Sequence, residues 1–219
     1  MKKKEWLKIV SGTAMLLFLT VVLIFGNKSR DYEYKLYLGR AEIVQYKGDA
    51  QNVVIPDRLW GLKVTVLQLS AFKKNNIIES VKLPKYLEEI SYDVFWKCEN
   101  LEKVEFGENI ERIRAGAFSC CTGLKDVYFS GKLIEIEDSA FYNCTNLKSV
   151  HLNEGLMKIG KQAFAGVVQL EDIMIPASVE KIDDFSFYNT NLKEVTFQGE
   201  KPYIGEEAFG NTPWQDDLK

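Results

Sequence analysis

The sequence predicts a repeat solenoid of short β-strands and short helical turns, in seven copies of about 23 residues. An N-terminal transmembrane helix and a β-hairpin cap are expected to precede it. Three observations carry this reading. Phenylalanines recur at 72, 95, 118, 141, 164, 187 and 209, spaced by 23 residues five times and then by 22. Other apolar columns keep the same period: Leu67, Ile90, Ile113, Ile136, Ile159, Ile182 and Ile204 stand five residues before each Phe, and Val81, Val104, Val127, Val150 and Ile173 nine after. Finally, Ile9 to Gly26 runs eighteen residues without a charge. A fixed period in the twenties marks units that cannot bury their apolar face alone and must stack on one another.

The elements follow in chain order. Eighteen helical residues rise roughly 27 Å, close to a bilayer core of about 30 Å, so residues 1–30 read as a cytoplasmic N-terminus and signal anchor. Lys2, Lys3, Lys4 and Lys8 before the span, against Lys28 and Arg30 after it, place the N-terminus in the cytoplasm and the rest outside. The alternative is a cleaved signal peptide, but no Ala-x-Ala follows the apolar run. Residues 31–60, with "YEYKLYL" and "AEIVQY", read as a β cap; 61–209 as the solenoid; and 210–219 as a C-terminal cap. Open solenoid ends expose core and strand edge, so Trp60 is expected over the first layer and Trp214 over the last.

Within a copy, the alternation Val104, Glu105, Phe106 has the period of a half-buried strand. "LEEI" (87–90) and its equivalents read as a second short strand or an extended turn, and "SAFYNC" (139–144) as a short helical turn. With layers about 4.8 Å apart, seven copies make a short curved rod with a core roughly 29 Å long.

The recurring pattern AF-x-x-C-x-x-L-x-x-V-x-[LF], clearest in "SAFYNCTNLKSVHLNEGLMKIGKQAF" (139–164), resembles the BspA-like leucine-rich repeats of microbial surface proteins. The resemblance extends over about 34–218. It implies a solenoid of leucine-rich-repeat type, opened by a β-hairpin that leads through Ile55-Pro56 and finished on Thr212-Pro213-Trp214. It also implies a cell-surface protein that binds other proteins or adheres to cells.

Charge and motifs exclude other classes. The first thirty residues hold six bases (Lys2, Lys3, Lys4, Lys8, Lys28, Arg30) and one acid (Glu5), leaving 22 bases and 30 acids in the remainder, a net charge near −8. Phosphate binding depends on clustered Lys and Arg, so nucleic acid is not an expected partner. No H-E-x-x-H, G-x-S-x-G or phosphate-cradling glycine loop is present, and the single histidine leaves no His pair; neither an enzyme nor a cofactor is expected.

Cys144 and His151 raise the question of a thiol nucleophile and its base, but their columns differ. Asn75, Cys98, Cys121, Cys144, Val167, Thr190 and Thr212 share one slot, which suits small buried side chains. A disulfide among Cys98, Cys121 and Cys144 is open on spacing, and a metal site lacks paired C-x-x-C ligands. His151 falls with Lys82, Glu105, Tyr128, Met174 and Thr196 between two inward strand positions, so this column points outward. Two residues earlier stand Lys103, Asp126 and Asp172, with Ser80, Ser149 and Glu194. These two columns are the candidate partner-binding face, centred on Tyr128, His151 and Met174, since Tyr and Met are favoured in interface cores. The expected partner is a protein on the cell's own envelope or on another cell surface; the alternative is a structural or accessory scaffold of a membrane or wall complex.

Overall fold

The computed structural model describes residues 31–129 and 131–216. The expected membrane span over residues 9–26 lies outside them; among the described residues no helix is long and apolar enough to cross a membrane.

The chain opens with β1 (Tyr32–Tyr37), β2 (Arg40–Tyr46), β3 (Asn52–Val54), β4 (Arg58–Leu59) and β5 (Leu62–Leu67). Two strand series then alternate. The even series is β6 (Ser80–Lys82), β8 (Lys103–Glu105), β10 (Asp126–Tyr128), β12 (Ser149–His151), β14 (Asp172–Ile175) and β16 (Glu194–Phe197). The odd series is β7 (Glu89–Ile90), β9 (Arg112–Ile113), β11 (Glu135–Ile136), β13 (Lys158–Ile159), β15 (Lys181–Ile182) and β17 (Tyr203–Ile204). A short helix, α1 (Pro213–Asp216), ends the described chain.

Each turn of the solenoid therefore has three sides. On one side the odd strands run in a continuous ten-stranded sheet, β1-β2-β5-β7-β9-β11-β13-β15-β17, with β4 on β5. The "LEEI" segments are thus short strands whose isoleucine points into the core. On the second side the even strands pair in parallel in three groups, β3-β6-β8, β10-β12 and β14-β16. The third side is made of the "SAF" turns. Their bonds are of the i to i−3 kind, as from Cys144 N–H to Phe141 O, so they are tight turns rather than α-helix. The turns also ladder between layers: Phe118 N–H donates to Ala140 O, and Phe141 N–H to Ala163 O, each at 2.8 Å.

Sequence explains the layers. The Phe, Leu, Val and Ile columns point inward except at the last layer, where Ile204 is exposed, and Phe72 through Phe209 form one aromatic file with ring centroids 5.0 to 5.3 Å apart. Offset rings at this spacing attract beyond the area that they bury. Tyr46 extends the file by stacking on Phe72 at 5.1 Å, and Trp214 meets Phe209 edge-on at 4.9 Å. Trp60 departs from expectation. It is 59% exposed, sits at φ 53° in the turn between β4 and β5, and donates its indole N–H to the Tyr34 hydroxyl at 2.7 Å. Tyr46, not Trp60, covers the first phenylalanine, because the two-residue turn that Trp60 shares with Gly61 faces away from the core.

Candidate functional site

Alternation along each even strand sets the site. In β10 and β12 the middle residues, Val127 and Val150, are buried, so Asp126, Tyr128 and His151 turn outward. Parallel register places Lys82 beside Glu105, Tyr128 beside His151 and Met174 beside Thr196, and in the second column Asp126 beside Ser149 and Asp172 beside Glu194. Lys82, Glu105, Tyr128, His151, Met174, Thr196, Lys103, Asp126 and Asp172 are all exposed.

The face is uneven along its length. At the N-terminal end Glu105 lies 3.4 Å from Lys82 and 3.5 Å from Lys103, and their hydrogen bonds, Lys82 first, hold its carboxyl below the usual range. At the centre Tyr128 and His151 stack, and His151 Nε2 lies 3.1 Å from the Ser149 hydroxyl. Beyond them Met174 is 54% exposed and Thr196 donates to Glu194 at 3.4 Å. Among the described residues Asp126, Asp172 and Glu194 form no ion pair.

The odd-strand side differs. There charges interlock between layers: Arg114 bridges Glu89 at 2.6 Å and Glu137 at 2.5 Å, and Lys158 meets Glu135 at 3.0 Å and Asp183 at 3.9 Å, while Lys181 pairs with Asp183 at 2.6 Å within its own layer. The even-strand side pairs its charges at Glu105, but from β10 to β16 it leaves Asp126, Asp172 and Glu194 unpaired beside the exposed Tyr128, His151 and Met174.

One pair of residues on this face was missed by the repeat spacing. β3 lays Asn52 beside Ser80 and Val54 beside Lys82, and Val54 is 68% exposed. The signal was present in Val53-Val54-Ile55-Pro56, which repeats Val81-Lys82-Leu83-Pro84 at an interval of 28.

Geometry separates Cys144 from His151. Cys144 is fully buried and its thiol donates to Phe118 O at 3.2 Å; Cys98 and Cys121 do the same to Phe72 O and Phe95 O. Burial pushes the Cys98 thiol up to about 12 and raises Cys121 and Cys144 in the same direction, which leaves no thiolate for attack near neutrality. All four cysteines are free.

Comparison with known proteins agrees with the architecture. A family model for the BspA type leucine rich repeat region matches six copies, over residues 44–149 and 125–216. Among solved structures, a Treponema pallidum leucine-rich repeat protein (TpLRR) is 27% identical with a TM-score of 0.81, over 85% of this chain and 88% of that one. A leucine-rich repeat protein from Bacteroides ovatus is 22% identical (TM-score 0.61; 83% of this chain, 56% of that one), and the pneumococcal vaccine antigen PcpA 20% (TM-score 0.63; 83% and 49%). These last two share the fold. No curated protein sequence matches. With the repeat period, the three-sided layers and a family match over most of its length, the chain belongs to the BspA-type leucine-rich repeat family.

Proposed function

We propose that this protein is a membrane-tethered, surface-displayed binding module, not an enzyme. Residues 1–30 anchor it with the N-terminus in the cytoplasm, and residues 31–60 close one end of the solenoid. Residues 61–209 form the binding rod outside the cell, and 210–219 close the other end. Its even-strand face takes a protein partner on the cell's own envelope or on another cell surface. The observation that carries this reading is the stretch of the even-strand face from β10 to β16, where exposed Tyr128, His151 and Met174 stand among Asp126, Asp172 and Glu194, none of them ion-paired among the described residues. Tyr in an interface core is a common source of binding energy.

The test is a pull-down from envelope fractions and a panel of foreign cell surfaces, followed by the triple variant Tyr128→Ala, His151→Ala, Met174→Ala. Binding is expected to weaken at least tenfold, with the melting temperature moved by no more than about 2 °C. Undiminished binding by the folded variant refutes the assignment of the face.

A further inference from the structure

We propose that the turn side of the first two repeats rests on an anionic lipid surface and so fixes how the rod stands on its membrane. The Trp96 ring is surrounded by three ammonium groups, with Lys73 Nζ at 4.3 Å, Lys97 Nζ at 4.8 Å and Lys74 Nζ at 5.2 Å from its centroid. None of the three lysines forms an ion pair among the described residues, so no carboxylate neutralises the cluster. Three like charges gathered on one ring, in a chain whose remainder is acidic, are complementary to an anion.

The same turns are also greasy. Leu69 is 63% exposed and Tyr92 48%, each three residues before its phenylalanine. A soluble polyanion would gain nothing from them, but a lipid interface takes apolar, aromatic and basic side chains together. The lysine cluster belongs to one end, although Tyr142 and Tyr188 stay 40% and 38% exposed in later turns. The position of Leu69 and Tyr92 is filled in later copies by Ala115, Asp138, Lys161, Asp184 and Glu206, and that of Lys74 and Lys97 by Cys120, Asn143, Gly166, Asn189 and Asn211. At these two positions, with Lys161 the one later base, the turn side thus grades from basic and apolar toward acidic and neutral. Its basic end lies in the layers next to the hairpin, through which the chain arrives from the apolar run Ile9–Gly26. The inference borrows from the proposed anchoring only which surface is close by.

The test uses the full chain mixed with vesicles of phosphatidylcholine, alone or with phosphatidylglycerol at about three to one. Flotation reads membrane association, and amine acetylation with mass spectrometry reads each lysine. Acetylation of Lys73, Lys74 and Lys97 is expected to slow about fivefold in the anionic vesicles relative to the neutral ones, with Lys161, Lys181 and Lys193 unchanged. That pattern supports the patch even if the chain leaves neutral vesicles, an outcome that overturns the anchor alone. Flotation with both vesicle types and equal labelling overturns the patch and leaves the anchor standing. Equal protection by inorganic polyphosphate without vesicles overturns the membrane in favour of a soluble polyanion, and flotation with neither vesicle overturns both ideas.

Discussion

Tyr128 and His151 lie ring on ring, with centroids 4.2 Å apart and planes 10° from parallel, because parallel register sets them opposite one another on neighbouring layers. The stack stands at the surface, with Tyr128 61% exposed. Tyr128→Ala is therefore expected to cost less than about 1 kcal/mol in urea unfolding while removing most of the partner affinity. A large loss of stability would mean that the ring belongs to the scaffold rather than to the binding face.

Phe141 sits inside the aromatic file, 5.1 Å from Phe118 and 5.2 Å from Phe164. Phe141→Ala empties a fully buried site on both of its neighbours and is expected to cost about 3 to 5 kcal/mol, read from the urea midpoint. Phe141→Leu should cost distinctly less, since it retains most of the buried volume.

The buried thiols give a pH dependence with a definite sign. Unfolded, Cys98 ionises near the ordinary thiol value of about 8.5; folded, it ionises only at about 12. Between these values the unfolded chain has lost a proton that the folded chain keeps, so stability is full below about pH 8.5 and is lost as pH rises toward 12. Cys121 and Cys144 act in the same direction. Replacing all three by valine, which Val167 already shows to fit this slot, should flatten the decline of the urea midpoint above pH 8.5. An unchanged slope would place its origin elsewhere.

Gly160 marks a close approach of neighbouring turns. A Cβ there would stand 2.7 Å from Asp138 N and from Glu137 C, both backbone atoms that cannot swing aside. Gly160→Ala is expected to destabilise by about 1 to 3 kcal/mol in chemical denaturation, although most copies carry a larger residue at this position.

Arg114 joins three layers through Glu89 and Glu137. Because the guanidinium is half-buried, Arg114→Ala should cost about 1 to 2 kcal/mol, whereas exposed pairs such as Lys125 with Glu102 should contribute under about 1. Comparing the two variants at low and high salt separates them, since the exposed pair alone is strongly screened.

Period, columns and inward or outward direction were legible in the sequence because each layer repeats the same environment, so Phe141 or Val127 could be placed from its neighbours in the column. Legibility faded where the period did. Tyr46 precedes Phe72 by 26 residues and Val53 precedes Val81 by 28, so the first aromatic and the first even strand fell outside the count. Trp60 was misplaced because bulk alone suggested burial, whereas the Trp60-Gly61 turn faces solvent. The turn backbone was hidden too. Residues two before and two after each Phe adopt positive φ, yet they include Ser70, Lys97, Cys120 and Phe185, so no glycine signal announced them. The site was readable as a pair of outward columns, but which carboxylates are paired, as Glu105 is and Asp126 is not, depends on side-chain reach between layers, which a column of letters does not contain.

The turn ladder makes the length of the molecule a free variable. Phe118 N–H meets Ala140 O, Phe141 N–H meets Ala163 O and Phe164 N–H meets Ser186 O, so every layer offers the next the same donors and acceptors. Excising one whole period would rejoin matching surfaces and leave both ends as they are, while an odd insertion inside a turn would break the match. Even the 22-residue interval obeys this, because Phe187 N–H still reaches Ala208 O. A gene encoding such a chain can therefore gain or lose reach in steps of one copy without inventing new contacts.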